Sequence, residues 1–184
     1  MAAATTVPAG GLPVTGRGCH TRFGTEHNAW VRISARVDYA IRATLELAAG
    51  GPEPLTSERI AAAQRIPVRF LQSILADLTA ARLVASTRGR EGGYRLGRPA
   101  AEISIADIMR VEQGFLADIH GSRPEDVDYP GVARELTKVW VAARASYRSV
   151  LERVTLADVL AGRLPEDIAA LLTDEDAWVS GSDR

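Results

Sequence analysis

The residues of this chain that could do chemistry are mainly arginines, and they are concentrated in one stretch. Only Lys138 among the 22 basic residues is a lysine. Between Ser57 and Pro99 eight arginines stand against three acids, which gives this stretch a net charge of +5. A guanidinium group binds phosphate oxygens, and the acceptor edge of guanine, through two parallel hydrogen bonds. We therefore expect the stretch to bind a polyanion.

Residues that perform covalent catalysis are scarce by comparison. Cys19 is the only cysteine of the chain, and His120 is the only histidine beyond residue 30. No nucleophile stands at a recognisable spacing from a general base, so the sequence predicts a non-enzyme without catalytic residues. It also predicts no metal site and no cofactor. Two groups keep a metal open as an alternative: Cys19, His20 and His27, and His120 with Asp118, Asp126 and Asp128.

The composition excludes several classes of protein. The 184 residues are 46% hydrophobic and 24% charged, which is typical of a globular chain. The sequence has no run of eighteen apolar residues that could cross a membrane, and one cysteine cannot form a disulfide scaffold. The net charge of −1 is unevenly distributed along the chain, because residues 111–184 alone carry −6. Residues 1–30 lack the apolar core of a secretory signal, so we expect a cytoplasmic protein with a disordered leader or a misassigned start.

Three helices are predicted to position the arginines. Apolar residues recur with helical spacing from Arg36 until a Gly-Gly-Pro run ends the first helix. Thr56 or Ser57 caps a short second helix, and Pro67 suits the first turn of a third. A turn this short between two helices indicates a helix-turn-helix, whose second helix exposes Arg69, Gln72 and Ser73. The residues that this helix is predicted to bury are Phe70, Leu71, Ile74, Leu75 and Leu78.

A β-hairpin is predicted directly after the helix-turn-helix. Short strands at 83–87 and 94–96 flank the segment RGREGG, whose glycines tolerate the positive φ angles of a tight turn. A helix in the major groove with a basic hairpin, or wing, at the minor groove would bind duplex DNA. The predicted DNA-binding residues are Thr56, Ser57, Arg69, Gln72, Ser73, Arg88, Arg90, Gly92, Gly93 and Tyr94.

The C-terminal half is predicted to hold a dimerisation helix. A capping box of Ser104 and Asp107 starts a helix that Gly114 ends, and an irregular polar loop follows. A long helix over 132–153 then carries apolar residues at spacings of three and four, as in a coiled-coil seam. We expect two copies to pair through this seam, and packing on the helix's own winged domain is the alternative. The seam residues are Val132, Leu136, Val139, Ala143, Tyr147 and Val150.

These elements predict a mainly α protein with a small β-hairpin, a winged helix-turn-helix followed by a long C-terminal dimerisation helix. Thr155 and Asp158 cap a further short helix, and Pro165 opens a last one through Leu172. The predicted divisions are a leader (1–30), a winged DNA-binding domain (31–99), a linking helix and loop (100–130), the dimerisation helix with its short capping helix (131–161), and a C-terminal helix with an acidic tail (162–184).

The chain resembles the Rrf-two family of bacterial winged-helix repressors over residues 31–160. The matching segments are VRISARVDYAIRATLELA, LTSERIAAAQRIPVRFLQSILADLTAARLVASTRGREGGYRL, ISIADIMRVEQG and TLADVL. RGREGGYRL, at its distance from the helix-turn-helix, is the most specific of these motifs. The resemblance implies a homodimer, formed through the long C-terminal helix, that binds a pseudo-palindromic operator. It places recognition-helix positions on Arg69, Gln72 and Ser73, the wing arginine on Arg88, and the family's usual first residue on Val31.

One departure from the family concerns iron. Cluster-binding members are similar to one another in three closely spaced cysteines before the dimer helix, and the matching loop here, Gly114–Pro130, has none. Iron in such clusters is held mainly by thiolates, so we expect no iron–sulfur cluster. Asp38 matches a position where some relatives supply a carboxylate ligand from the partner subunit. The simpler interpretation is an acid that the helix dipole favours at a helix start.

Two functions follow from these patterns. The first is a cluster-free transcriptional repressor whose signal is a small-molecule effector or a partner protein. The alternative is a protein-interaction module that docks onto a metabolic enzyme, with DNA binding secondary. The acidic C-terminal third favours this alternative, and the arginine-rich stretch favours the first.

Overall fold

Helices dominate the part of the chain that the computed structural model describes, which is residues 33–89, 92–114, 119 and 121–179. The first three are α1 (Ala35–Ala49), α2 (Ser57–Gln64) and α3 (Val68–Ala80). After a hairpin come α4 (Ile105–Gln113), α5 (Leu136–Leu151), α6 (Leu156–Ala161) and α7 (Glu166–Ala170). None of the described helices is both long and apolar enough to span a bilayer.

The hairpin consists of β1 (Val84–Thr87) and β2 (Gly93–Leu96), which pair antiparallel. Val84 lies opposite Leu96 at the base, and Thr87 lies opposite Gly93 towards the tip. Leu55, just before α2, adds one bridge to β2 by exchanging two backbone hydrogen bonds of 2.8 and 2.9 Å with Tyr94. The hairpin is therefore attached to both sides of the helix-turn-helix.

Helix α1 lies at the centre of the fold, since it contacts α2, α3, α4, α6 and β2. Its side chain Leu47 is 1% exposed and belongs to one continuous apolar core. The core explains why the amphipathic helices form, because isolated helices of this length are marginal without a partner for the apolar face. Core members from the other elements include Ile60, Leu71, Ile74, Leu75, Leu78, Leu83, Val84, Ile103, Ile108 and Leu156.

The predicted starts of α2, α4 and α6 are confirmed in detail. The Thr56 hydroxyl accepts a hydrogen bond from the Arg59 N–H, so Thr56 rather than Ser57 is the N-cap of α2. Complete capping boxes begin α4, with Ser104 and Asp107, and α6, with Thr155 and Asp158. Each box satisfies two backbone N–H groups that a helix start otherwise leaves without partners.

The two capping boxes are also joined to each other. An isolated antiparallel bridge pairs Ser104 with Thr155, through hydrogen bonds from Ile105 N to Val154 O (2.9 Å) and from Leu156 N to Ile103 O (3.0 Å). The start of α4 and the residues that follow α5 therefore lie side by side. This junction fixes both ends of the segment that contains α5.

Two predictions about apolar residues are wrong. Phe70 was predicted to be buried, but its side chain is 39% exposed because it lies on the α1 side of α3, against surface residues rather than in the core. Val132 was predicted to lie in the long helix. It lies instead in a short 3₁₀ turn, Gly131–Ala133, after Pro130, and it is fully exposed. Helix α5 starts four residues later, at Leu136.

Candidate nucleic-acid interface

The exposed side of α3 begins at Pro67, which is the N-cap residue and makes no side-chain cap bond. Leu71 and Ile74 are completely buried on the opposite side of the helix, whereas Arg69 and Gln72 are exposed. Arginine and glutamine have the donor patterns that match guanine and adenine in the major groove. The first turns of α3 can therefore offer two base-reading side chains to a ligand while the core holds the helix in place.

A sharp turn separates α2 from α3. Arg65 ends α2 in the left-handed region, with φ of 53°, and Ile66 N donates to Ala61 O at 2.9 Å. Sequence reasoning placed the turn correctly but did not identify Arg65 as its left-handed residue. Arg65 is exposed, so its guanidinium lies on the surface between the two helices.

Ser73 differs from the other two recognition-helix residues because its hydroxyl is already engaged. It donates to Phe70 O at 2.9 Å and accepts from Arg36 Nη1 at 3.0 Å. Arg36 also forms ion pairs with Asp77, on α3, and with Glu112, on α4. Ser73 therefore connects α3 to α1 within the protein, and its hydroxyl has little remaining capacity for a base.

Arg36 is the centre of a cluster that supports α3 from the α1 side. Its guanidinium lies 5.8 Å from the centre of the Phe70 ring, and Tyr39 meets that ring edge-on at 5.7 Å. The Glu112 side chain is completely buried, and neither of its oxygens has a well-aligned hydrogen bond in the described structure. Burial raises the pKa of the Glu112 carboxyl, and the nearby Arg36 charge opposes that rise.

The start of α2 is less open to phosphate than the sequence suggested. Ser57 is 8% exposed, and its hydroxyl donates to the Glu58 carboxylate at 3.1 Å. Hydrogen bonds from the Glu58 backbone N–H, Ser57 and Thr56 hold the pKa of Glu58 below its usual value. A carboxylate therefore already lies at this helix N-terminus, where a phosphate would otherwise bind.

The wing depends on two glycines for its shape. A Cβ atom at Gly92 would lie 2.4 Å from Thr87 O, and one at Gly93 would lie 2.7 Å from Leu55 O. Only glycine fits such close backbone approaches. Arg88 is exposed at the end of β1, and Tyr94 is half-buried on β2. Arg90 lies outside the described residues.

Most described arginines of the winged segment have no acidic partner within the described part of the chain. Within the described residues between Ser57 and Pro99, only Arg98 lies near an acid, at 3.7 Å from Asp107. The remaining described arginines of this segment are exposed and form no ion pair with a described acid: Arg59, Arg65, Arg69, Arg82, Arg88 and Arg95. By contrast, most cations elsewhere in the described chain are paired, namely Arg36, Arg42, Arg110, Lys138, Arg144, Arg148 and Arg153.

Helix α5 has no fully buried residue. Its predicted seam divides: Leu136, Tyr147 and Val150 are half-buried, whereas Val139 and Ala143 are exposed. The Tyr147 hydroxyl lies 3.9 Å from Met109 Sδ on α4, and burial raises the pKa of Tyr147. Part of the seam therefore faces the helix's own subunit, and the part around Val139, which is 54% exposed, does not.

The donors present do not fit an iron–sulfur cluster. The sequence contains one thiol, Cys19, outside the described residues. Among the residues whose positions are described, no group of three His, Cys, Asp or Glu side chains could hold a metal ion. The two alternative metal groups lie wholly or partly outside that part of the chain, at Cys19, His20, His27, Asp118 and His120.

Comparison with known proteins decides the family. The family model Rrf2, described as an iron-dependent transcriptional regulator, matches residues 33–162. The chain belongs to the Rrf2 family. The protein Rv1287 of Mycobacterium tuberculosis (strain ATCC 25618 / H37Rv), named as an HTH-type transcriptional regulator, is 50% identical over 151 residues, which cover 82% of this chain and 94% of that relative. CymR of Bacillus subtilis (strain 168) is 31% identical over 130 residues, covering 70% of this chain and 89% of CymR.

Solved structures of Rrf2 relatives agree with this assignment. The structure of CymR, the global cysteine regulator of B. subtilis, matches 71% of this chain and 97% of its own at a TM-score of 0.61 and 29% identity. IscR of T. potens matches 72% of this chain and 88% of its own at a TM-score of 0.60 and 30% identity. The predicted family and winged helical fold are confirmed. The protein is a DNA-binding transcriptional regulator of the Rrf2 family and not an enzyme.

Proposed function

We propose that this protein is a homodimeric, sequence-specific repressor that binds a pseudo-palindromic operator without an iron–sulfur cluster. Each subunit inserts the first turns of α3 into the major groove and places the wing at the adjacent minor groove. Arg69 and Gln72 read bases, and Arg88, with Arg90, binds where A·T steps narrow the minor groove. Thr56 and Ser57 start α2 beside this surface, where the Glu58 carboxylate takes the place of a phosphate. Gly92, Gly93 and Tyr94 set the shape of the wing.

The observation that carries this proposal is the set of exposed arginines without acidic partners. An arginine that already forms an ion pair gains little by exchanging one anion for another. Six described arginines of the winged segment have no such pair, so phosphate contacts would cost them no internal interaction. Counterion release on phosphate binding then supplies affinity and makes it depend on salt.

Dimerisation through α5 is supported by the exposed apolar residues of that helix. Val139 and Trp140 are 54% and 40% exposed, which is unfavourable for a helix that faces only water. Leu136, Ala143, Tyr147 and Val150 border the same region on the helix surface. A second copy would cover these residues and place two α3 helices on one duplex. Val132 extends the contact only if its turn moves.

The signal is proposed to be a small-molecule effector or a partner protein, acting in the cytoplasm. The donor set provides no thiolate pair for iron within residues 33–184. Segment 114–130 connects α4 to α5, and Arg144 on α5 binds Glu125 of this segment at 2.6 Å. An effector that displaced this segment would therefore act directly on the proposed dimerisation helix.

The test is a binding titration with fluorescent duplexes. The full chain selects its preferred sequence from a random pool, and anisotropy gives its Kd for that duplex and for a scrambled one at about 50 mM and about 200 mM salt. We expect a strong preference for the selected duplex and a marked loss of affinity at the higher salt. Binding that does not depend on the sequence, or that does not depend on salt, would overturn the proposal.

The alternative of a protein-docking module is favoured by the C-terminal end. Trp178 is 73% exposed and Leu171 is 57% exposed, beside the acids Asp174, Glu175 and Asp176. Aromatic residues such as tryptophan are enriched at protein contacts. Pull-down from native lysate distinguishes the two functions, since recovery of a metabolic enzyme without any DNA would favour the alternative.

A further inference from the structure

The exposed side of α3 contains an apolar residue that neither the cap nor the core requires. Val68 is the first residue of α3, directly after Pro67, and it is 37% exposed. Phe70, the other large apolar side chain exposed on this helix, has partners in Tyr39 and Arg36. Val68 does not belong to the apolar core.

A hydrophobic staple does not explain Val68. In a staple the residue before the N-cap packs against the fourth residue of the helix. Those positions of α3 are Ile66 and Leu71, which are 4% and 0% exposed and both lie in the core. Ile66 and Leu71 therefore already occupy the two staple positions of α3, and Val68 is not part of the staple.

The position of Val68 relative to the proposed base-reading residues is specific. Val68 and Gln72 are four residues apart and are neighbours on one side of the helix, and Arg69 and Gln72 are three apart. Ser73 is held by Arg36 and by the Phe70 carbonyl. The exposed groups in the first turns of α3 that remain free are thus one guanidinium, one amide and the two methyl groups of Val68.

We propose that Val68 recognises the C5-methyl group of a thymine in the major groove. Thymine is the only base that offers a methyl group there, and an apolar side chain recognises it by excluding water. Valine suits this role because its branched side chain is held near one χ1 rotamer in a helix, so little freedom is lost on contact. The inference rests on the proposed DNA binding and adds a third base-reading residue to Arg69 and Gln72.

The experiment replaces each thymine of the selected duplex, one at a time, with deoxyuridine, which lacks only the methyl group. Wild-type protein should lose about fourfold in affinity at one thymine of each half-site, the value for one buried methyl group. Val68→Ala should bind the thymine and uracil duplexes almost equally. Val68→Thr, which keeps one methyl group, should give an intermediate ratio. Gln72→Ala is the matched control, since it should weaken binding and keep the wild-type ratio.

Two results would overturn the inference. One is a Val68→Ala protein that keeps the wild-type thymine-to-uracil ratio, and the other is a selected duplex in which no thymine shows the methyl effect. Thermal unfolding of each variant controls for misfolding, which is not expected at an exposed first-turn position. If wild-type protein selects no sequence at all, the proposed function fails too, whereas selection without a methyl effect removes only the role of Val68.

Discussion

Arg36 of α1 donates a hydrogen bond from Nη1 to the Ser73 hydroxyl of α3, at 3.0 Å and across 37 residues of sequence. The same guanidinium pairs with Asp77, one turn further along α3, and with the buried Glu112 of α4. One side chain thus connects three helices behind the proposed DNA-binding surface. These contacts add to the apolar core, which holds the opposite side of α3.

Ser73→Ala is predicted to change base preference little. Its hydroxyl is used internally, so its loss should reduce affinity by less than about 1 kcal/mol. Arg69→Ala and Gln72→Ala should each cost about 1–3 kcal/mol and relax preference at one base pair. Titration of the selected duplex and of its single-base variants measures both quantities. A Ser73→Ala protein with relaxed preference at one base pair would restore Ser73 as a base-reading residue.

Arg88→Ala is predicted to weaken binding most on duplexes with A·T-rich flanks. A narrow minor groove has an enhanced negative potential, so an arginine there contributes more than on a G·C-rich flank. The measurement is the ratio of Kd values for variant and wild type on two duplexes that differ only in the flanks. Arg163→Ala removes an exposed arginine outside the winged segment and should show no flank dependence. Equal losses on both flanks for Arg88→Ala would contradict a minor-groove role.

Val139→Glu is predicted to dissociate the dimer. A carboxylate at this exposed apolar position would be buried without a partner when two α5 helices meet. Light scattering after size exclusion should show a monomer, and affinity for the full duplex should fall towards that for a half-site. Ala145→Glu is the matched control, because Ala145 is exposed and lies on the opposite side of α5 from the seam. A Val139→Glu protein that remains dimeric would exclude this part of α5 from the interface.

Glu112→Gln is predicted to gain stability relative to wild type as the pH rises. Burial raises the pKa of Glu112 above its ordinary 4.5, so the folded protein binds this proton more tightly than the unfolded chain does. Wild type therefore loses stability as the pH rises through the interval between those two pKa values, and glutamine, which does not ionise, does not. Urea unfolding of both proteins from about pH 4 to about pH 8 measures the difference.

Asp167→Asn provides the opposite trend for comparison. The Arg153 guanidinium holds the pKa of Asp167 below its ordinary 3.8 through direct hydrogen bonds. This carboxylate stabilises the fold above the ordinary pKa, and that contribution disappears as the pH falls through the lowered value. Asp167→Asn should therefore lose stability relative to wild type as the pH rises from about 2 to about 5, and its urea series extends down to about pH 2. If the difference in unfolding free energy between Glu112→Gln and wild type does not change with pH, the pKa of Glu112 is not raised in the folded protein.

The sequence was sufficient to predict the helix starts and the wing, because residues close together in sequence determine both. Helix starts at Thr56, Ser104 and Thr155 depend on residues three positions apart, and the wing depends on glycines within one turn. Such short-range patterns favour one local structure regardless of the rest of the chain. The winged architecture could therefore be predicted from spacing alone.

The sequence was insufficient to predict the surroundings of a side chain where residues distant in sequence determine them. Helical spacing predicts that Phe70 is buried, but Tyr39 and Arg36 of another helix provide its surroundings at the surface. The use of the Ser73 hydroxyl is likewise set by Arg36 and cannot be deduced from α3. The apolar spacing of the long helix continued back to Val132, although a turn after Pro130 delays the helix start.

The bridge between Ser104 and Thr155 has a geometric consequence for the operator. The bridge joins the start of α4 to the residues that directly follow α5, so it attaches the C-terminal end of α5 to the winged unit of its own chain. In a dimer joined by α5, this attachment would set the distance between the two α3 helices. A single base pair inserted between the half-sites would rotate one of them by about 35° around the duplex axis. A flexible linker could absorb that rotation, but a chain clamped in this way would have to twist the DNA instead.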